Sequence, residues 1–143
     1  MNSMDLNKIK DVLSRELPKY PVAFAYVFGS AATGHADTES DLDIALGFSG
    51  PVPEDIFYKI FNILAGGFGV AAEKLDLKNF AELPLAVRFR VIRDGLLVYV
   101  KDQKKHREAA VRTLDFYHDN YPVMKKFNRL FFKHAAATAA KSL

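Results

Sequence analysis

The spacing of apolar residues along the chain predicts an alternation of helices and strands. A first helix is expected to end near Pro18, with Asn2 or Ser3 as its N-cap. Every residue from Val22 to Phe28 is apolar, which is typical of a strand buried on both faces. The apolar residues at helical spacing in the first helix are Leu6, Ile9, Leu13 and Leu17.

The middle of the chain predicts a strand, a helix and a further strand. Leu42–Phe48 has the apolar content of a second strand. A helix is expected over Glu54–Ala65, because apolar residues follow helical periodicity there and Gly66-Gly67 comes directly after them. Polar and apolar residues alternate over Ala72–Lys78, and this pattern predicts a third strand.

The remaining sequence is predicted to be mainly helical. A short helix is expected over Pro84–Arg93, ended by Gly95, and a short apolar strand follows over Leu96–Val100. The pattern after this strand is helical to the end of the sequence, with Tyr121-Pro122 separating two helices.

The length and composition of the chain correspond to one domain. With 143 residues and 50% hydrophobic content, the chain can bury one core. We expect residues 1–100 to form this core and residues 101–143 to form a helical tail packed on it. The absence of cysteine excludes disulfides and thiolate metal sites and fits the cytosol. No signal peptide is recognisable, and no uncharged apolar run approaches the roughly 20 residues that span a bilayer, so we expect a cytoplasmic protein.

The charge of the chain is distributed unevenly, although the net charge is only +3. Residues 1–100 contain ten Lys or Arg and thirteen Asp or Glu, whereas residues 101–143 contain ten and four. A basic segment of this kind is compatible with nucleic acid, with an acidic protein partner, or with a solvated helix face. The charge pattern leaves these three alternatives open.

The stretch that carries the chemistry follows the first predicted strand. It reads Gly29-Ser30-Ala31-Ala32-Thr33-Gly34 and continues after a short spacer with Ser40-Asp41-Leu42-Asp43. Backbone N–H groups at Gly29 and Ser30, together with the Ser30 hydroxyl, can hold triphosphate oxygens at the start of a short helix. Gly29 and Gly34 allow the backbone to approach a phosphate closely. These residues are therefore candidates for nucleotide binding.

Two carboxylates lie two residues apart on the second predicted strand. Alternation along the strand points Asp41 and Asp43 to the same face, and carboxylate oxygens on a rigid element suit Mg²⁺. Asp76 faces the same cleft if the third strand neighbours the second, and alternation places Lys74 on its face. The alternative interpretation of Asp76 is an exposed residue paired with Lys74 or Lys78.

A Gly-Ser pair, ten residues, Asp-x-Asp and a third Asp on a later strand resemble the DNA polymerase beta nucleotidyltransferase superfamily. The small size makes the chain most similar to the minimal nucleotidyltransferase (MNT) proteins, the antitoxins of HEPN/MNT toxin–antitoxin pairs. The resemblance covers Val22 to about Tyr99, including Asp94–Tyr99, and is looser over Arg112–Pro122. The chain departs from many relatives at Thr33, where they carry an arginine before the glycine, and His35 follows that glycine.

The resemblance implies a mixed sheet backed by helices, and a site that binds ATP and two Mg²⁺ ions. The ions would be shared by Asp41, Asp43 and Asp76, with Asp76 as the base or a metal bridge. One ion would lower the pKa of the attacking hydroxyl, and the other would neutralise the pyrophosphate leaving group. The family further implies that AMP is transferred from ATP to a tyrosine of a partner HEPN RNase toxin, which is thereby neutralised.

Two other functions stay open at this point. The first is a nucleotidyltransferase that modifies tRNA or a small molecule, and the basic tail favours tRNA among these acceptors. The second is an antitoxin without activity that blocks its toxin by contact alone. The presence of all three acids argues against this second alternative.

Overall fold

The computed structural model describes residues 5–29 and 41–122, together with Lys125, Lys126 and Arg129. Helices and strands alternate along the chain, and short 3₁₀ turns join several of them. In chain order, the main elements are α1 (Leu6–Glu16), β1 (Val22–Phe28), β2 (Leu42–Phe48), α2 (Glu54–Phe68), β3 (Leu75–Asn79), α3 (Leu85–Asp94), β4 (Leu96–Val100) and α4 (Gln103–Asp119). The first, second and last predicted strands are confirmed with their bounds unchanged.

The described strands form one mixed sheet in the order β3-β2-β1-β4. Strand β1 pairs antiparallel with both β2 and β4, whereas β2 and β3 run parallel. Parallel neighbours require a crossover connection, and α2 forms it between β2 and β3. The combination of a mixed sheet with helices confirms the predicted α+β fold.

The core is divided into two layers on opposite faces of the sheet, because side chains alternate along each strand. Helices α1 and α2 cover one face, where Ile44 of β2 is buried. Helices α3 and α4 cover the other face, where Ala45 lies in a cluster with Phe24 and Val91. Asp43 is two residues before Ala45 on the same strand and therefore belongs to the face that α3 and α4 cover.

Helix α1 begins at a different cap from the predicted one. Its N-cap is Asp5, whose side chain accepts a hydrogen bond from the backbone N–H of Asn7 at 2.8 Å. The prediction of Asn2 or Ser3 as the cap was wrong, because Asp5 stands directly before the first helical residue; both predicted residues lie outside the described part of the chain. The expected end near Pro18 is confirmed, since a 3₁₀ turn over Leu17–Lys19 follows the helix.

Helix α2 is longer than the prediction, which ended it at Ala65. It continues to Phe68 and is capped by Gly69 in the left-handed conformation, with φ of 70°. Gly67 lies inside the helix at a contact with α1: a Cβ at this position would be 2.7 Å from Cγ1 of Val12. The glycine pair was expected to end the helix, but close packing between two helices requires a small residue there.

Strand β3 is shorter than predicted, because its first three residues form a 3₁₀ turn. Ala72–Lys74 makes this turn, and the backbone N–H of Lys74 donates to the carbonyl of Ala71 at 2.9 Å. Pairing with β2 begins only at Leu75. The prediction that Lys74 shares a strand face with Asp76 was therefore wrong.

Helix α4 is attached to the sheet and to α3 by aromatic and polar contacts. The Nε2 atom of His106 lies 2.7 Å from the hydroxyl of Tyr26, and the imidazole contacts the edge of Phe24 with ring centroids 5.0 Å apart. Further along the helix, the ring of Tyr117 stacks on Phe89 of α3, with centroids 3.7 Å apart and planes 8° apart. These contacts cover the face of the sheet that carries Asp43.

The break in the tail occurs slightly earlier than predicted. Helix α4 ends at Asp119 with Asn120 as its C-cap, and Tyr121-Pro122 is helical again. Much of the second predicted tail helix lies outside the described residues, and the division of the domain at residue 100 stays a prediction. None of the helices in the described ranges is long and apolar enough to cross a membrane.

Candidate active site

Two of the three predicted acidic residues, Asp43 and Asp76, meet at one end of the sheet, on the face covered by α3 and α4. Asp43 of β2 pairs with Phe28, the last residue of β1, on one side. On its other side it is in register with Asp76 of β3, in the parallel pair of strands. Residues in register on adjacent strands point to the same face, so the carboxyl groups of Asp43 and Asp76 are neighbours.

Gly29 brings the backbone that leaves β1 against the Asp43 carboxylate. Its φ is +71°, which L-residues with a side chain rarely adopt. A Cβ at this position would lie 2.5 Å from Oδ2 of Asp43, well inside van der Waals contact. Both the backbone conformation and the space therefore require glycine here, and the strand end and the carboxylate form one wall of the site.

The pKa of Asp43 is raised from 3.8 to about 7. Partial burial is the largest cause, because it disfavours the charged form of the carboxyl. A side-chain hydrogen bond with Asp76 and the negative charge of Asp76 add to the effect, followed by the charge of Asp41. Two carboxyls this close favour a shared proton over two negative charges. The two carboxyl groups therefore repel each other when both are ionised, and a bound cation would reduce this repulsion.

Asp41 lies near this pair without joining it in a tight cluster. It stands exposed directly before β2, and its charge contributes to the raised pKa of Asp43. Within the described ranges, no three His, Cys, Asp or Glu side chains are arranged to hold one metal ion together. The structure thus brings Asp43 and Asp76 into contact, and the shared role of all three acids stays a prediction. The oxygen donors of the pair are nevertheless those that Mg²⁺ prefers.

Lys78 lies beside the two carboxyls and was considered from the sequence only as a surface partner of Asp76. Its Nζ is 3.4 Å from Oδ1 of Asp76, and the two side chains are 51% and 41% exposed. Its positive charge also lowers the pKa of Asp43, against the larger effects that raise it. The sequence signal was the spacing of two residues from Asp76, which places both side chains on one face of β3.

Two arginines of α3, Arg88 and Arg93, have hydrogen-bond partners away from the carboxyl pair. Arg93 donates two hydrogen bonds to the Asp94 carboxylate, at 2.9 and 2.8 Å, and these bonds lower the pKa of Asp94. Arg88 donates to the carbonyl of Ala81 at 3.2 Å. These two side chains thus make contacts that do not include the pair Asp43 and Asp76.

Most of the predicted phosphate-binding loop lies outside the residues that the structure describes. Ser30 and Gly34 lie outside the described residues, as do Thr33 and His35. Gly29 is the described part of this loop, and its contact with Asp43 places the start of the loop at the carboxyl pair.

Comparison with protein families identifies the domain to which this geometry belongs. The profile of a family described as "Polymerase beta, Nucleotidyltransferase" matches residues 7–104, which is more than half of the chain and includes the carboxyl pair. None of the curated proteins matches the sequence.

Solved structures share the fold at low sequence identity. A chain of a toxin–antitoxin complex crystallised with AMP-PNP is 21% identical, with a TM-score of 0.65 over 89% of this chain and 98% of its own. A complex of tri-AMPylated Shewanella oneidensis HEPN toxin with MNT antitoxin contains a chain that is 20% identical, with a TM-score of 0.60 over 92% and 99%. A chain of an MntA–HepT toxin–antitoxin complex is 20% identical, with a TM-score of 0.58 over 88% of this chain and 96% of its own. These similarities confirm the fold over nearly the whole length of the matched chains.

Proposed function

This chain belongs to the polymerase beta nucleotidyltransferase family, and from that premise we propose that it is a metal-dependent antitoxin that transfers AMP from ATP to a partner protein. The acceptor is a tyrosine of a HEPN-type RNase toxin, and the modification neutralises the toxin. The observation that carries the proposal is the contact between Asp43 and Asp76 at the sheet end, with Gly29 against the Asp43 carboxylate.

The charge of the site supports a metal-dependent reaction. Burial, the neighbouring Asp76 and the nearby Asp41 all disfavour ionisation of the Asp43 carboxyl and raise its pKa. A divalent cation reverses this effect, because it stabilises the ionised forms of the carboxylates that bind it. Asp41, Asp43 and Asp76 are the residues that would hold Mg²⁺. Bound there, the ions would activate the attacking hydroxyl and neutralise the pyrophosphate leaving group.

The protein groups have separate tasks in this proposal. The N–H groups at Gly29 and Ser30, with Gly34 at the far end of the loop, would hold the triphosphate of ATP. Asp76 would accept the proton of the attacking hydroxyl, because it lies at the open side of the pair with 41% of its side chain exposed. The bond that forms joins the acceptor oxygen to the α-phosphorus of ATP, and pyrophosphate leaves.

The choice of a protein acceptor is supported by the structural neighbours. One neighbouring complex contains an AMPylated HEPN toxin bound to an MNT antitoxin, and another contains AMP-PNP. The partly exposed carboxyls of the present chain are also compatible with a large acceptor, because they are not enclosed by the described residues.

The proposal is tested by incubating the protein with ATP labelled in the α-phosphate, Mg²⁺ and the protein product of the adjacent gene. We expect label on a tyrosine of that protein, located by mass spectrometry, together with loss of its RNase activity. Asp43→Asn and Asp76→Asn should abolish labelling, whereas the control Asp115→Asn on the exposed surface of α4 should retain it.

The same experiment separates the alternative functions. Label on added tRNA and none on protein would show that the acceptor was assigned wrongly. Neutralisation of the toxin by Asp43→Asn to the same extent as by the wild type would show that contact alone silences the toxin.

A further inference from the structure

Lys78 forms an ion pair with Asp76 and its charge acts on Asp43, but it has no task in the proposed reaction. It follows Asp76 by two residues, so both side chains point from β3 to the face that carries Asp43. Strand β3 is at the edge of the described sheet, and half of the Lys78 side chain is exposed to solvent. A long side chain at this position can turn from the carboxyl pair toward the open side of the site.

The contact between Lys78 and Asp76 is easily exchanged. Its length of 3.4 Å and the exposure of both side chains are those of a surface ion pair, which contributes little to stability. A lysine ammonium is a compact charge on a flexible stem, without the fixed geometry that an arginine would impose. The contact therefore keeps Lys78 near the site and still allows it to leave Asp76 for another partner.

Binding of a divalent cation would change the partner of Lys78. A cation held by Asp43 and Asp76 takes up carboxylate oxygens and repels a neighbouring ammonium group. A triphosphate that arrives with the cation carries several negative oxygens to the same place. A lysine next to such a site is a suitable phosphate ligand, since its charge and its three donors are not tied to one geometry.

Resting on the proposed function, we propose that Lys78 is a nucleotide-binding residue that exchanges its ion pair with Asp76 for a triphosphate oxygen of the metal-bound nucleotide. This exchange makes two predictions of opposite sign for the loss of the lysine. Nucleotide binding becomes weaker, because a charge-assisted hydrogen bond is lost. Binding of the metal ion alone becomes stronger or stays unchanged, because a competitor for Asp76 is removed.

The test compares Lys78→Gln and Lys78→Arg with the control Lys59→Gln. Lys59 is exposed on α2, which covers the opposite face of the sheet from the site. Isothermal titration with α,β-methylene-ATP and Mg²⁺ measures nucleotide binding without turnover. We expect Lys78→Gln to weaken binding by about tenfold, as for one charge-assisted hydrogen bond at a partly exposed site. Lys78→Arg should remain within about threefold of the wild type, because the charge is kept, and Lys59→Gln should bind like the wild type.

A second titration with Mn²⁺ alone excludes a merely structural effect. A misfolded variant would bind both the metal and the nucleotide less tightly, whereas the proposed exchange requires Mn²⁺ affinity to be unchanged or higher in Lys78→Gln. Lower Mn²⁺ affinity would overturn the proposal, as would nucleotide affinity equal to that of the wild type. Failure of the wild type itself to bind nucleotide with Mg²⁺ would overturn the proposed function, and with it this inference.

Discussion

Replacing Asp43 with Asn should stabilise the metal-free protein while abolishing AMP transfer. In the folded chain the Asp43 carboxyl is partly buried beside Asp76, and its pKa is raised to about 7. Above that pH the folded protein must hold two neighbouring negative charges. Asparagine has the same shape, carries no charge and can donate an amide N–H to the Asp76 carboxylate, so the repulsion is removed.

The size of this effect follows from the pKa difference. The change from 3.8 to about 7 corresponds to an upper limit of about 4 kcal/mol, at about 1.4 kcal/mol for each pKa unit. Because Asp43 is partly exposed, water screens much of this energy, and we expect a gain of about 1–2 kcal/mol at pH 8.

The gain should depend on pH in a defined direction. Near pH 3 the Asp43 carboxyl is protonated in the folded chain and mostly protonated in the unfolded chain, and the penalty is small. As the pH rises from about 4 to about 7, the unfolded chain has released its proton while the folded chain still holds it, so the wild type loses stability. The difference in free energy of unfolding between Asp43→Asn and the wild type should therefore grow over this range and level off above it.

Urea unfolding followed by circular dichroism at pH 5, 6, 7 and 8, in the presence of EDTA, measures this difference. Using the difference between two variants removes the contributions that both share, such as that of His106, whose pKa is lowered by burial. Asp115→Asn serves as the control, because Asp115 is exposed on α4. Saturating Mg²⁺ at pH 8 should stabilise the wild type and leave Asp43→Asn nearly unchanged.

A result of the opposite sign would refute this reasoning. If Asp43→Asn is less stable than the wild type at pH 8 without metal, the carboxylate is not repelled by its surroundings. If the difference is the same at pH 5 and pH 8, the effect of the substitution does not come from ionisation of Asp43.

Three further substitutions test single contacts. Gly29→Ala should lower the free energy of unfolding by about 1–2 kcal/mol and reduce AMP transfer at least tenfold, because it places a Cβ in the left-handed region and against Asp43. Transfer at the wild-type rate would contradict the close contact between Gly29 and the Asp43 carboxylate. Tyr26→Phe should lower the free energy of unfolding in urea by about 1 kcal/mol, since it removes the hydrogen bond to His106. An unchanged unfolding midpoint would mean that this bond does not hold α4 on the sheet. Asp102→Ala removes the N-cap of α4, a carboxylate that accepts a hydrogen bond from the backbone N–H of Lys105 at 3.0 Å. It should lower the free energy of unfolding by about 1 kcal/mol without weakening ATP binding. A loss of ATP binding together with stability would place the start of α4 in the site.

Local patterns were sufficient for the elements whose residues are buried or paired along their whole length. The unbroken apolar run over Val22–Phe28 predicted β1, and this central strand is buried at every residue except the partly buried Phe28. The start of β3 and the end of α2 were predicted wrongly, because the contact that decides each of them comes from elsewhere in the chain. Gly67 remains in a helix because α1 packs against it, and β3 begins where β2 offers a partner.

The sequence by itself indicated which acids are candidates, since a spacing of two residues at the start of a strand predicts that Asp41 and Asp43 point to the same side. It could not determine that Asp43 and Asp76 touch, because they are 33 residues apart and meet only through the register of a parallel strand pair. The raised pKa of Asp43, the contact of Gly29 with its carboxylate and the position of Lys78 beside both acids follow from that register. Spacing along a strand sets the direction of a side chain, whereas distances between charges on different strands are decided by the tertiary structure.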